Sequence, residues 1–217
     1  MIKKNLDFTR FEPILRRGNE LGINNTTAFI LGFPEEGRED IDATVRRALH
    51  YKVSGTSRVF FSKLSPLPGT PIYHEYLGKL EELNFPSLTV PQHYDLPFIR
   101  DLVRRHPDLF SSFYHVPHPQ FSMDYVARLT EFANLLVNAC ATLAISILDG
   151  LHWTACDLFD RWSVWADVNR LPYYDYRQFS EEDFKVSFKE FLDEVLPKQE
   201  KPGLPSYSLT AHQSVGL

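Results

Sequence analysis

The chain has 217 residues, 43% of them hydrophobic, which is enough apolar material for one good core or a small core with an appended lobe. A formal net charge of −5 and the lack of any basic stripe speak against an electrostatic grip on nucleic acid. The two cysteines, Cys140 and Cys156, lie in apolar surroundings without metal-type spacing, and the charged N-terminus lacks a signal-peptide core, so the reading is a reducing, cytoplasmic protein.

Residues 9–21 read as a helix, with Thr9 and Glu12 at capping-box spacing and Gly22 as its stop. Thr26 to Phe33 is a short, continuous apolar run, as in a strand buried on both faces. A helix follows over about 39–51, with Glu39 and Asp40 in its first turn, where the helix dipole favours carboxylates. Ser57 to Leu64 reads as a second buried strand, ending in Ser65-Pro66-Leu67-Pro68-Gly69-Thr70-Pro71. Helix, strand, helix, strand at this spacing predicts parallel strands with right-handed crossovers, and two such strands need something further to pair with.

Residues 83–121 are rich in Pro, His and aromatics and read as irregular chain with a short helix near 96–105. Ser122 caps a long helix to about residue 149, with Leu129, Phe132, Ala133, Leu136, Cys140, Leu143, Ala144 and Ile147 on its buried face. Its apolar stretch, Leu135 to Leu148, is interrupted by Asn138, Thr142 and Ser146 and is shorter than the roughly 20 residues of a membrane span. A helix over about 151–168 carries Trp153, Trp162 and Trp165, and Ser180 with Asp183 opens a last one. The expected organisation is an α/β region over 1–80, a helical extension over 81–197 and a disordered tail over 198–217.

In parallel α/β folds, ligands bind at the C-terminal ends of strands, here Gly32 to Glu35 and Leu64 to Pro68. No glycine-rich phosphate loop follows the first strand, and Glu35, Glu36, Glu39 and Asp40 would repel a pyrophosphate there. A neutral or cationic ligand suits the site better.

Ala28-Phe29-Ile30-Leu31-Gly32-Phe33-Pro34-Glu35-Glu36, followed by Asp40-Ile41 and Thr44, is similar to the fifth strand and helix of radical S-adenosylmethionine (SAM) enzymes. Their G-x-I-x-G-x-x-E pattern reads here Ala28-x-Ile30-x-Gly32-x-x-Glu35. Leu64-Ser65-Pro66-Leu67-Pro68-Gly69-Thr70-Pro71-Ile72-Tyr73 resembles the end of their sixth strand, most closely in the branch with a cobalamin (B12)-binding domain. The resemblance implies the last two strands of a partial (β/α)6 barrel followed by a mainly helical C-terminal extension. It assigns apolar contact with the adenine of SAM to Ile30 and Gly32, backbone hydrogen bonds to that ring to Leu64 and Ser65, and support of the loop to Glu35, and it counts Ala28, which replaces the pattern's first glycine, among the cofactor-binding positions. It also implies reductive cleavage of SAM to a 5′-deoxyadenosyl radical, with methyl transfer or rearrangement in the cobalamin branch.

The family's C-x-x-x-C-x-x-C motif, whose thiolates hold a [4Fe–4S] cluster, does not occur in this sequence. Met1 to Asp7 resembles the link between the fourth strand and fourth helix, so the chain is expected to begin mid-domain, as a truncated gene, a split gene or an internal start would produce. The expected partner is then a complementing N-terminal radical SAM half, with neither nucleic acid nor membrane involved, and the chain alone is expected to be inactive. A non-catalytic helical interaction module retaining a residual α/β segment is the rival reading. A complete small nucleotide-binding protein is a third. His106, His115 and His118 read as structural or surface residues, the three tryptophans as packing, Tyr173 to Tyr176 as a packed loop, and Cys140 as a small core residue.

Overall fold

A computed structural model describes residues 7–82, 97–175 and 178–196. The tail expected from residue 198 lies outside the described residues, as does Tyr176.

A single 3-10 turn, Phe8–Arg10, leads into α1 (Phe11–Glu20). The capping box expected of Thr9 and Glu12 does not form. Asp7 takes both the amide and the hydroxyl of Thr9 (3.1 and 2.6 Å), and Glu12 reaches across to His50 instead. Asp7 thereby occupies the Thr9 amide that a capping box would offer to Glu12, and the chain already turns at Phe8–Arg10, before α1. Gly22 does end the helix: at φ +71° it lets Ile23 N–H bond Gly18 C=O (2.8 Å) and its own N–H bond Asn19 C=O (3.0 Å).

β1 (Thr26–Leu31), α2 (Arg38–Val53) and β2 (Arg58–Lys63) form a parallel strand pair with a helical crossover, in the register Thr26↔Arg58 to Leu31↔Lys63. Thr27, Leu31, Val59 and Phe61 are buried on one face, where Phe29 stacks on Phe61 and Tyr51 of α2 packs beside Phe29. The other face is different. Thr26, Ala28, Arg58 and Phe60 are exposed, and Ile30 and Ser62 half-buried. The expectation of strands buried on both faces is therefore corrected. Among the described residues, helices cover one side only.

Thr70 then caps α3 (Pro71–Tyr76), a short helix begun by proline at its first position and not anticipated from the sequence. β3 (Glu81–Glu82) pairs antiparallel with β4 (Tyr114–His115), and α4 (Pro97–Arg105) lies between them in the chain. Three helices complete the fold: α5 (Met123–Gly150), α6 (Ala155–Val168) and α7 (Glu181–Val195). Ser122, Thr154 and Ser180 cap them with side-chain oxygens that accept amides three residues on, so α6 starts later than the sequence suggests.

One core joins the strand pair, α2 and the last three helices, while Val103 of α4 and Phe113 form a small cluster of their own. Ile41, Val45 and Leu49 of α2 meet Val59 and Phe61 of β2, and the same cluster continues through Phe132 and Leu136 of α5, Phe159 and Trp162 of α6, and Phe184 and Phe188 of α7. Trp162 sits among Phe132, Phe184, Phe188 and Phe191, as the packing role expected of it requires. Arg38 ties α2 to Asp157 and Asp160 of α6, and Arg46 bonds Asp42, Asp149 and the Trp153 carbonyl. α5 is 28 residues long and apolar enough to cross a membrane by length and composition, as core helices also are; here Leu129, Phe132, Ala133 and Ile147 are buried in the core.

α5 also supplies what β2 needs to pair with. Arg58 and Leu64 donate their amides to the carbonyls of Asn25, just before β1, and Leu31, at its end (3.2 and 2.8 Å), so Val59 and Phe61 turn theirs the other way. Phe61 N–H donates to Asn134 Oδ1 (2.7 Å) and its carbonyl accepts from Asn134 Nδ2 (3.0 Å). Val59 makes the same pair of bonds with Asn138 (3.0 and 2.8 Å).

Candidate functional site

The C-terminal ends of β1 and β2 lie side by side, joined by the bond from Leu64 N–H to Leu31 C=O. The chain leaves β1 through Gly32, whose φ of +94° is open to glycine and strained for an L side chain. It then turns at Phe33, where Glu36 N–H bonds the Phe33 carbonyl (2.9 Å). The Glu36 carboxylate folds back and accepts from Gly32 N–H (2.7 Å) and Phe33 N–H (3.1 Å). Burial raises its pKa, the two amides lower it, and the charges of Asp40 and Glu35 add to the rise. Asp40 accepts from Gly37 N–H (2.9 Å) and so caps α2.

Loop support, anticipated for Glu35, is thus carried by Glu36. Glu35 is exposed and makes no hydrogen bond among the described residues, because the turn at Phe33 aims only the second of the adjacent carboxylates at the amides. The single sequence signal was adjacency.

The segment before α5 closes over this loop. His118 Nδ1 accepts from the amides of Gln120 and Phe121 (3.0 and 3.1 Å), which leaves the ring proton on Nε2, 3.1 Å from the Glu36 carbonyl. Burial lowers the pKa of His118. Phe121 packs between His118 and Tyr125, and a Cβ at Gly32 would stand 3.0 Å from Val126 Cγ1. Gly32 is therefore a backbone surface fitted against α5.

The expected site residues divide. Ala28 and Ile30 share the uncovered face with Phe60, which is 39% exposed. Gly32 and Leu64 are buried at the adjoining strand ends. Ser65 is half-buried, and its Oγ is shielded from solvent and without a hydrogen-bond partner. Glu35 stands apart in solvent.

Sequence reading missed a second group on the covered side of β2. Burial pushes the Lys63 amine down to about 8 and raises Glu131 of α5, and each charge partly offsets the other's burial. His115 is buried beside them, its Nε2 3.1 Å from Glu81; burial lowers its pKa, and the Lys63 charge adds to that. Lys63 sits in an apolar strand pattern, and nothing local marks the carboxylate it approaches from α5.

Both thiols are shielded. Cys156 is fully buried and Cys140 half-buried, and burial pushes each up to about 11. Among the described residues, no three His, Cys, Asp or Glu side chains are grouped to hold a metal ion. The chain matches no family model, no curated protein and no solved structure.

Proposed function

We propose that this chain is the C-terminal portion of a radical SAM enzyme, supplying the adenine-side wall of the SAM site and a helical lobe, and that it works with a complementing half that carries the cluster cysteines. The observation that carries this reading is the uncovered face of the β1–β2 sheet. Parallel sheets are covered on both faces because their crossovers place helices there. A barrel interior is the setting in which a parallel strand face meets opposing strands and ligand in place of a helix. Ala28, Ile30 and Phe60 present that kind of face here.

The side chains present fit an adenine. Ala28 and Ile30 offer an apolar surface, Gly32 lets the chain turn closely at the strand end, and the unpaired Ser65 Oγ, shielded in this structure, would have to turn outward to meet the ring. Leu64 N–H is already bonded to Leu31, so its ring contact would be through the carbonyl. Bound there, SAM supplies the adenosyl group that the parent enzyme cleaves reductively, in the cobalamin branch or outside it. The [4Fe–4S] cluster does not fit this chain. Its two thiols stand on different helices in apolar surroundings, so the cluster ligands belong to the complementing half. Two free thiols suit a cytoplasmic setting.

The test is coexpression with a polypeptide, encoded directly upstream, that carries C-x-x-x-C-x-x-C and four βα units. Anaerobic reconstitution should give SAM-dependent release of 5′-deoxyadenosine only when both chains are present, and Ile30→Asp should lower it at least about tenfold, the order of a lost apolar contact turned into a buried charge. A stable [4Fe–4S] spectrum from this chain alone, or no product with both chains, overturns the proposal. One observation favours the rival helical interaction module: Phe98, Leu102 and Leu109 stand exposed along α4 and the turn after it. In that case Phe98→Asp changes association with a partner and Ile30→Asp does not.

A further inference from the structure

The side of β2 turned away from β1 is closed by two side-chain amides. Asn134 and Asn138 are one helical turn apart, so both face the strand. Each makes two bonds, its Oδ1 accepting a strand N–H and its Nδ2 donating to the carbonyl of the same residue. That is the bonding a neighbouring β-strand would offer at Val59 and Phe61. Asn138 Nδ2 also donates to the Asn134 carbonyl (2.8 Å), which holds the two amides in line. Two residues on, α5 departs from helical geometry at Cys140 (φ −135°, ψ 27°).

Asparagine is a poor helix former, and an amide on the core side of a helix costs desolvation unless fully bonded. The strand it faces explains its presence. Arg58-Val59-Phe60-Phe61-Ser62 combines β-branched and aromatic residues with a single charge, the composition that recruits further strands when its edge is bare. We infer that Asn134 and Asn138 are an edge guard: α5 stands in for a neighbouring strand and keeps β2 from pairing with β2 of a second copy of this chain. The inference rests on this geometry alone and is independent of the SAM reading.

The double variant Asn134→Ala/Asn138→Ala tests it, read by amide hydrogen exchange and by light scattering across micromolar concentrations. The parent should protect the amides of Val59 and Phe61. The variant should keep its helical circular dichroism, lose protection at those two amides at least about tenfold, the worth of one net hydrogen bond, and gain mass with concentration relative to the parent. Unchanged protection, or lost protection with no gain in mass, overturns the proposal; the latter would make the amides backbone satisfiers only. If the double variant does not fold, the single variants are read the same way. Asn134→Ala should expose Phe61 and leave Val59 protected, Asn138→Ala the reverse, each with a smaller gain in mass. Exposure without that gain again overturns the guard.

Discussion

Gly32→Ala is the sharpest probe of the strand-to-helix loop. At φ +94° an L side chain costs about 1–2 kcal/mol from backbone strain alone. The added Cβ would also lie 3.0 Å from Val126 Cγ1, so Val126 must shift by a few tenths of an ångström, at about 0.5–1 kcal/mol for the off-rotamer adjustment. The sum, about 1.5–3 kcal/mol, is a sizeable part of a total stability of about 5–15 kcal/mol. At about 2–4 °C per kcal/mol for a chain of this size, the melting temperature should fall by about 3–12 °C. Urea unfolding of the parent, Gly32→Ala, Val126→Ala and the double variant separates the terms. The two substitutions should couple favourably by about 0.5–1 kcal/mol, because trimming Val126 removes the contact and leaves the backbone strain. A Gly32→Ala protein as stable as the parent, or a coupling of zero, refutes the packing described for Val126.

Glu36→Ala should destabilise by about 1–3 kcal/mol by leaving the Gly32 and Phe33 amides unpaired, and Glu35→Ala should stay within about 0.5 kcal/mol of the parent; equal effects in urea unfolding count against the loop geometry. Lys63 has a folded pKa of about 8, below its ordinary 10.5, so the folded state loses this proton first as pH rises. The cost of burying its charge is full below pH 8, declines between 8 and 10.5, and is gone above, a span worth about 3 kcal/mol. Lys63→Met should accordingly exceed the parent in stability at pH 7, less whatever Glu131 loses with its cation, and the gap should close by pH 10.5; a gap that does not change with pH excludes this cause. Both thiols should react with an aromatic disulfide reagent at pH 7 at least about a hundredfold more slowly than free cysteine, since pKa values of about 11 leave little thiolate; a fast phase in the native protein would show that one thiol is accessible and ionised.

Local chemistry made much of this fold legible. Ser122 and Ser180 cap the helices they precede, Gly22 ends α1, and the two apolar runs become parallel strands within a residue or two of their expected bounds. What the sequence hid depends on partners distant along the chain. Asn138 reads as an interruption in an apolar helix, and only the edge of β2 explains it. Glu35 and Glu36 are alike until the turn at Phe33 chooses between them. Thr9 looks like a cap until Asp7 takes its amide. The apolar strand pattern could not reveal that one face stays uncovered, because an apolar run reads the same whether a helix, a barrel interior or solvent lies against it.

The amides that close β2 also set a schedule for synthesis. Phe61 leaves the ribosome 73 residues before the side chain that bonds it. At about 5–20 residues per second, the strand edge waits about 4–15 s for Asn134 to be made. During that interval nascent chains on one messenger carry matching bare edges close together, so β2 is where chaperone dependence and cotranslational aggregation should concentrate. Codon choices that slow translation between the strand and α5 would lengthen the exposure without changing a single residue of the finished protein.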